Sequence, residues 1–144
     1  TSITLKRGAF TLIDESYNAS PASMKAAIAT LGAVRTRAGG RLIVVLGDML
    51  ELGADADDRH AGLAEAIAEA NIDAVFLAGP HMAALATFLD DDILGAHAAD
   101  AAALAPLVAA DVRHSDVVMV KGSLGSRMAT IVEALKALDR NEEG

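Results

Sequence analysis

An acid, a hydroxyl and an amide follow an apolar run directly in the segment Asp14-Glu15-Ser16-Tyr17-Asn18. A carboxylate such as Asp14 can accept hydrogen bonds from both hydroxyls of a ribose, and the amide of Asn18 can donate and accept toward a base or a phosphate. Alternatively, Asp14 caps a turn and Asn18 forms an Asx-turn before a helix. Tyr17, the only tyrosine, also fits a core position with a tethered hydroxyl. The residue types leave these interpretations open.

The turn Lys121-Gly122-Ser123 also follows an apolar run, and Arg127 lies one helical turn beyond Ser123. Glycine allows the backbone to approach a ligand closely, serine can cap or donate, and lysine supplies a point charge for a carboxylate or a phosphate. Because the lysine precedes the glycine, this is not the phosphate-binding pattern G-x-x-x-x-G-K-[ST], which no other segment supplies. The alternative is a solvated lysine at an ordinary turn.

A third polar turn, residues 47–53, contains Asp48 and Glu51 between two glycines. The two acids can hold a metal ion or a positive group, and an ordinary solvated loop explains them as well. The four histidines show neither zinc spacing nor an acid at the next position, so the sequence predicts no metal site. These histidines are His60, His81, His97 and His114.

Strands and helices alternate along the whole chain. Runs of β-branched residues and leucine predict strands that are covered on both faces, and apolar residues at helical spacing predict the helices between them. The first two strands are typical of a hairpin, which gives one antiparallel edge strand. The predicted strands are residues 3–6, 9–13, 42–46, 74–78, 93–98 and 116–120. The predicted helices are residues 21–38, 55–70, 82–89 and 128–138, and one that begins after Asp100 and is kinked or shortened by Pro106.

This order predicts an α/β fold. We expect a Rossmann-like, mostly parallel sheet of about six strands, with one antiparallel strand at the edge and helices on both faces. Such sheets bind ligands outside the carboxyl ends of their strands, where helix N-termini favour anions. Since the three polar turns follow three different strands, we expect them to line one cleft.

The composition excludes several classes of function. The chain has 144 residues and no cysteine, which suits one domain over residues 1–144 without disulfide or thiolate chemistry. A net charge of −8 and an aromatic content of 3% argue against nucleic acid as a partner. The sequence shows neither a signal peptide nor an apolar run near the ~20 residues that span a bilayer. We expect a cytoplasmic protein and, because the chain begins with Thr1, a piece excised from a longer one.

The three turns, in this order and at these separations, resemble those of the Mur ligases of peptidoglycan synthesis over nearly the whole chain. Within that family they are most similar to the branch that adds D-alanyl-D-alanine to UDP-N-acetylmuramoyl-tripeptide, whose first motif reads D-D-[ST]-Y-N-A-N-P-x-S-M. The matching residues are Asp14-Glu15-Ser16-Tyr17-Asn18-Ala19 with Pro21, Ser23 and Met24; Gly47-Asp48-Met49 with Glu51-Leu52-Gly53 and His60; and Val120-Lys121-Gly122-Ser123 with Arg127-Met128. The chain departs from the branch at Glu15, Ser20, Leu124, Gly125 and Ala129.

The resemblance implies the C-terminal domain of a three-domain, ATP-dependent amide ligase. In such an enzyme an N-terminal domain binds the UDP-sugar, and a central P-loop domain binds ATP and supplies most of the Mg²⁺ coordination. The C-terminal domain closes over the central one and has no catalytic residue of its own. The implied site residues are Asp14, Tyr17 and Asn18 for ATP; Lys121, Gly122, Ser123 and Arg127 for the dipeptide; and Asp48, Glu51 and His60 in a cleft loop without an assigned role.

Two alternatives have the same fold. A stand-alone nucleotide- or metabolite-binding module would share the sheet and form no bond, and a sister Mur ligase would add a different amino acid. The pair Tyr17-Asn18 and the 47–53 turn argue against the sister ligase.

Overall fold

The computed structural model describes residues 2–5, 8–34, 40–50 and 52–139, and within these residues it forms six strands and six α-helices. The strands are β1 (Ser2–Leu5), β2 (Gly8–Glu15), β3 (Leu42–Gly47), β4 (Ala74–Ala78), β5 (Leu94–Ala98) and β6 (Val117–Lys121). The helices are α1 (Pro21–Gly32), α2 (Ala56–Ala61), α3 (Leu63–Glu69), α4 (Met82–Ala86), α5 (Ala101–Asp111) and α6 (Ala129–Lys136). None of these helices is long and apolar enough to cross a membrane.

The strands form one sheet in the order β1-β2-β6-β3-β4-β5. Strand β1 pairs with β2 in antiparallel orientation, and every other pairing in the sheet is parallel. The predicted mixed sheet with one antiparallel edge strand is therefore confirmed. Strand β6, the last in sequence among the described residues, lies in the middle of the sheet between β2 and β3.

Two apolar layers cover the sheet, one on each face. Helices α5 and α6 pack on the first layer, which includes Phe10 and Leu12 of β2 and Val120 of β6. Helices α1, α3 and α4 pack on the second layer, which includes Leu46 of β3 and Met119 of β6. Because β3, β4 and β6 contribute to both layers, all of their residues are buried, which explains their nearly unbroken apolar sequences.

Helix α1 begins as its sequence predicts. Ser20 is the N-cap, and its hydroxyl accepts a hydrogen bond from the backbone N–H of Ser23 at 3.1 Å. The hydroxyl of Ser23 in turn accepts one from the backbone N–H of Ser20 at 2.8 Å, which completes a capping box. Pro21 occupies the first helical position, where it has no hydrogen bond to lose. The capping box therefore holds the backbone in place directly after segment 14–18.

The helix predicted over residues 55–70 is wrong as a single element. It divides at Gly62 into α2 and α3, because glycine is unfavourable in a helix interior. The break lets α2 direct the buried side chain of His60 toward the turn after β3, while Leu63 and Ile67 of α3 join the second layer.

Other boundaries differ from the prediction by a few residues. Helix α4 ends at Ala86, before the predicted residue 89, and strand β6 begins at Val117, one residue after the predicted start. Of the two effects predicted for Pro106, a kink or a shortening, the shortening is wrong, because helix α5 continues past the exposed Pro106 to Asp111. The predicted hairpin residue Arg7 and the helix-closing Gly39 lie outside the described residues.

A charged cluster joins the amino ends of β3 and β6 to the end of α5. The guanidinium of Arg41 donates to both carboxylate oxygens of Asp116, at 3.1 and 2.8 Å. It also donates to the carboxylate and the carbonyl of Asp111, at 3.1 and 2.9 Å. Asp116 is buried, and the backbone N–H of Arg113 donates to it as well. The cluster therefore fixes the two central strands at the end of the sheet opposite the polar turns.

Arg41→Met should lower the free energy of unfolding by about 3 kcal/mol, because the Asp116 carboxylate would stay buried without its bidentate partner. Urea unfolding followed by circular dichroism measures the change. Arg113→Met is the matched control, since the Arg113 side chain is 68% exposed and lies 4.0 Å from Asp111. We expect a change below about 0.5 kcal/mol for the control. Equal losses in the two variants would contradict the assigned role of Arg41.

Candidate functional site

The three polar turns lie side by side at one edge of the sheet. Strand β6 pairs with β2 so that Glu15 is beside Lys121, and it pairs with β3 so that Lys121 is beside Leu46. All three strands run in the same direction, so their carboxyl ends meet at the same edge. The prediction that these turns gather along one edge is confirmed, but the expectation that they line one cleft is wrong, because two cavities without a shared lining residue open there.

Lys121 is buried, so its interpretation as a solvated lysine is wrong. Its side chain is only 4% exposed, and its ammonium donates to the Asn18 side-chain oxygen at 3.4 Å. The ammonium also lies 3.8 Å from a carboxylate oxygen of Glu15. Lys121 thereby connects the central strand β6 to the segment that follows β2.

Segment 14–18 combines a capped turn with exposed side chains. Asp14 Oδ1 accepts hydrogen bonds from the backbone N–H of Ser16 at 2.9 Å and from its hydroxyl at 2.6 Å. Asp14 caps the turn, as the alternative interpretation predicted, although its side chain is exposed and both bonds use the same oxygen. Tyr17 is 59% exposed, so the core position considered for it is wrong.

A cavity of about 420 Å³ opens beside this segment and is called the α1 cavity because α1 forms one of its walls. Its polar lining comes from Glu15, Tyr17, Asn18, Ser23 and Lys121. The remainder is mainly apolar and includes residues of the second layer. The structure therefore places Lys121 with Asn18 and Tyr17.

Asp48 anchors the start of helix α4. Its two carboxylate oxygens accept from the backbone N–H groups of His81 and Met82, at 3.2 and 3.0 Å. Gly79 lies directly against it, and a Cβ there would come within 2.4 Å of the Asp48 carboxyl carbon. Asp48 is buried, so the solvated-loop interpretation is wrong for this residue. Glu51 lies outside the described residues.

His60 fastens the same turn from the other side. The backbone N–H of Met49 donates to His60 Nε2 at 2.8 Å, which leaves Nδ1 to donate to the carbonyl of Ala56 at 2.6 Å. These partners select the Nδ1–H tautomer. The ring is fully buried. His60 therefore holds the turn after β3 in place, and this is a role that the sequence left unassigned.

The turn after β6 is joined to the turn after β3. The backbone N–H of Leu50 donates to the Ser123 hydroxyl at 3.0 Å, and the backbone N–H of Ser123 lies 3.4 Å from the carbonyl oxygen of Asp48. The side chain of Met128 is buried against Gly47 and Gly122. A Cβ added to either glycine would come within 2.5 Å of this side chain. Gly122 thus makes room for a methionine of this chain.

Arg127 lies at a second cavity, of about 480 Å³, called the α5 cavity because the N-terminus of α5 forms one of its walls. Asp48, His81, Asp100 and Thr130 also line it. Arg127 is exposed and has a left-handed backbone conformation, with φ 59° and ψ 35°. The structure thus separates Arg127 from Lys121, although the sequence grouped the two residues together.

His81 was not singled out by the sequence. Its Nδ1 lies 3.0 Å from a carboxylate oxygen of Asp57, and its ring stacks on His60 with centroids 5.3 Å apart. The hydrogen bond to Asp57, with the charges of Asp48 and Asp57, raises the pKa of His81 despite the opposing effect of burial. Among the described residues, no three acidic or histidine side chains come close enough together to hold a metal ion.

A family model described as Mur ligase, glutamate ligase domain, matches residues 3–124. The chain belongs to the Mur ligase family. The UDP-N-acetylmuramoyl-tripeptide--D-alanyl-D-alanine ligase of Escherichia coli is 35% identical to it over 127 residues, which cover 87% of this chain and 26% of the relative. The resemblance drawn from the three turns is confirmed.

Solved Mur ligase structures share the fold. A crystal structure of MurF from Acinetobacter baumannii superimposes with a TM-score of 0.75 at 27% identity, over 95% of this chain and 30% of that one. MurF from Thermotoga maritima in complex with ADP gives a TM-score of 0.73 at 24% identity, over 99% of this chain and 31% of that one. The similarity to the Thermotoga maritima structure supports the fold alone. The chain spans between a quarter and a third of the length of these relatives.

The contact between His81 and Asp57 predicts a pH-dependent stability. Because the pKa of His81 is raised in the folded chain, its stabilisation is fully present below pH 6.5, the ordinary value, and is lost as pH rises through the raised value. Asp57→Asn should therefore destabilise the fold more at about pH 5.5 than at about pH 8.5. Urea unfolding at both pH values measures this difference.

The matched control for this pair is Asp58→Asn, which makes the same charge change on the same helix. His81 bonds to Asp57, and the charges that raise its pKa are those of Asp48 and Asp57. We expect little pH dependence from the control. A destabilisation by Asp57→Asn that is the same at both pH values would refute the contact's electrostatic role.

Proposed function

We propose that this chain is the C-terminal domain of an ATP-dependent ligase that joins D-alanyl-D-alanine to UDP-N-acetylmuramoyl-tripeptide. The observation that carries the proposal is the alignment of three branch-specific turns along one sheet edge, fastened together by Lys121 and Ser123. The names of the curated relatives support the same reaction. Because the reaction uses ATP and a nucleotide-linked sugar, we place it in the cytoplasm.

In the proposed reaction, the terminal carboxylate of the tripeptide attacks the γ-phosphorus of ATP and releases ADP. The amine of D-alanyl-D-alanine then adds to the acyl phosphate carbon, and the tetrahedral intermediate expels phosphate as the amide forms. Phosphoryl transfer depends mainly on positioning and on charge neutralisation. In this proposal the central P-loop domain supplies the charges, including most of the Mg²⁺ coordination, and the described residues supply positioning.

We assign the nucleotide to segment 14–18. The Asp14 carboxylate is exposed, and its Oδ2 accepts no hydrogen bond from another described residue, so it is open to the hydroxyls of a ribose. The exposed ring of Tyr17 and the amide of Asn18 border the α1 cavity beside it. These three residues offer an acceptor, an aromatic face and an amide within one turn.

We assign the dipeptide to Arg127 and to Gly122 and Ser123 of the turn after β6. Arg127 makes the strongest case, because an exposed guanidinium at the α5 cavity can pair with a carboxylate through two parallel hydrogen bonds. Ser123 and Gly122 hold the backbone of this turn against the turn after β3. The ammonium of Lys121 faces the nucleotide side of the edge.

The proposed partner of this edge is the central domain of the same enzyme. Leu50 and Leu124 project from the turns after β3 and β6, and both are exposed. Exposed leucines that flank polar ligand groups suit a surface that closes on another domain. Closure would bring segment 14–18 to a nucleotide that is held by the central domain.

The 144-residue chain alone should form no amide product, because the proposed phosphate-binding charges belong to another domain. The chain is mixed with ATP, D-alanyl-D-alanine and UDP-N-acetylmuramoyl-tripeptide, and product is sought by mass spectrometry. The full-length protein is the positive control. A second control replaces the tripeptide and the dipeptide by the substrates of a sister ligase. Turnover by the chain alone, or by the full-length protein with only the sister substrates, would refute the proposal.

Asp14→Ala in the full-length protein should raise the KM for ATP roughly tenfold without unfolding the domain, since one charged hydrogen-bond acceptor is lost. Ser16→Ala is the matched control, because it removes the hydroxyl that bonds to Asp14 and keeps the carboxylate. Steady-state kinetics at varied ATP measures both variants. If the two variants change the KM equally, the role of Asp14 is to cap the turn and not to contact the nucleotide.

A further inference from the structure

We propose that Lys121 is a positioning residue that holds segment 14–18 in its ligand-binding geometry from the neighbouring strand. It acts on the nucleotide through Glu15 and Asn18 and does not bind the dipeptide directly. The inference rests on the proposed function for the identity of the nucleotide. The contact itself is a property of this chain and can be tested without any ligand.

The first support is where the ammonium lies. Side chains alternate between the two faces of a strand, so the side chain of Lys121 lies on the same face of β6 as that of Met119. Met119 belongs to the second apolar layer, whereas Met128 belongs to the first layer on the opposite face. It lines the α1 cavity, whereas Arg127 lines the α5 cavity. A dipeptide held by Arg127 would therefore be on the other side of the turn from this ammonium.

The second support is what the ammonium contacts. Glu15 and Asn18 lie on either side of Tyr17 along the chain, at 3.8 and 3.4 Å from the Lys121 ammonium. An ammonium that is nearly removed from water needs such partners, because an unpaired buried charge is strongly unfavourable. The pairing thus restrains both ends of the short stretch that carries the exposed tyrosine.

The third support is that the restraint can be removed without breaking the core. Glu15 is 33% exposed and Asn18 is exposed, so both can be hydrated once the ammonium is gone. Methionine keeps most of the length of the lysine stem among apolar neighbours such as Ile13 and Met119. Lys121→Met should therefore release segment 14–18 while the sheet stays folded.

Tyr17 provides a direct measurement of this release. It is the only tyrosine, and the chain contains no tryptophan, so tyrosine fluorescence anisotropy and the tyrosine NMR signals report on segment 14–18 alone. We expect Lys121→Met to lower the anisotropy and shift the Tyr17 signals, with the signals of the buried Phe10 and Phe76 unchanged. Lys25→Met is the matched control, because Lys25 is exposed on α1. Unchanged Tyr17 signals in Lys121→Met would overturn the inference.

A second variant covers the case in which Lys121→Met fails to fold. Glu15→Gln removes the charge of a partially exposed partner and keeps its shape, and it should change the Tyr17 signals in the same direction. In the double variant the two effects should be strongly non-additive, since both substitutions remove one interaction. Fully additive effects, or no effect of Glu15→Gln on Tyr17, would also overturn the inference.

Kinetics of the full-length protein separate positioning from direct binding. Lys121→Met should raise the KM for ATP roughly tenfold and leave the KM for D-alanyl-D-alanine nearly unchanged. A rise confined to the KM for the dipeptide would show that Lys121 contacts the dipeptide and would refute the inference. If the wild-type protein makes no product, the proposed function fails, and the Tyr17 measurement still tests the contact.

Discussion

The position of β6 between β2 and β3 is the constraint on which the candidate site depends. Parallel pairing on both sides of β6 places Glu15, Lys121 and Leu46 in one row at the carboxyl edge. Three turns that are far apart in sequence are thereby brought next to each other by backbone hydrogen bonds alone. Side chains then fasten the turns, but they could not bring them together if β6 were an edge strand.

The alternation of side chains along β6 divides the site between the two faces of the sheet. Lys121 extends into the α1 cavity with Tyr17 and Asn18, and the next residue, Gly122, lies beneath Met128 on the other face. Residues of β6 and of the turn after it therefore line both cavities.

The features of the fold that depend on local sequence patterns can be predicted from the sequence. The strands, the cap of α1 by Ser20 and the shared edge follow from periodicity, from one capping residue and from the order of the elements. The resemblance of the turns to a known family adds the reaction, which composition and spacing do not provide. Polar residue types at the ends of apolar runs are enough to identify Asp14, Asn18, Asp48 and Lys121 as candidates, because that position brings them to the carboxyl edge of the sheet, where folds of this kind bind ligands.

The sequence does not predict side-chain partners that lie far apart along the chain. Lys121 bonds to Asn18 across 103 positions, and Asp48 caps α4 across 34, so no local pattern shows that either residue is buried. The ion pair of Arg41 with Asp116 spans 75 positions for the same reason. His60 accepts its hydrogen bond from the backbone N–H of Met49, 11 positions away in the turn after β3, so its burial does not follow from a local pattern either.

The left-handed backbone of Arg127 links the stability of this edge of the sheet to the ligand binding that we propose for it. An L-residue with a side chain loses about 1 kcal/mol in that conformation, whereas glycine adopts it freely. The chain thus keeps a guanidinium at a position where the least strained residue would have no side chain at all. Replacement by glycine would relieve this strain and would also remove the guanidinium that we assign to the dipeptide, so stability and the proposed binding oppose each other at this single residue.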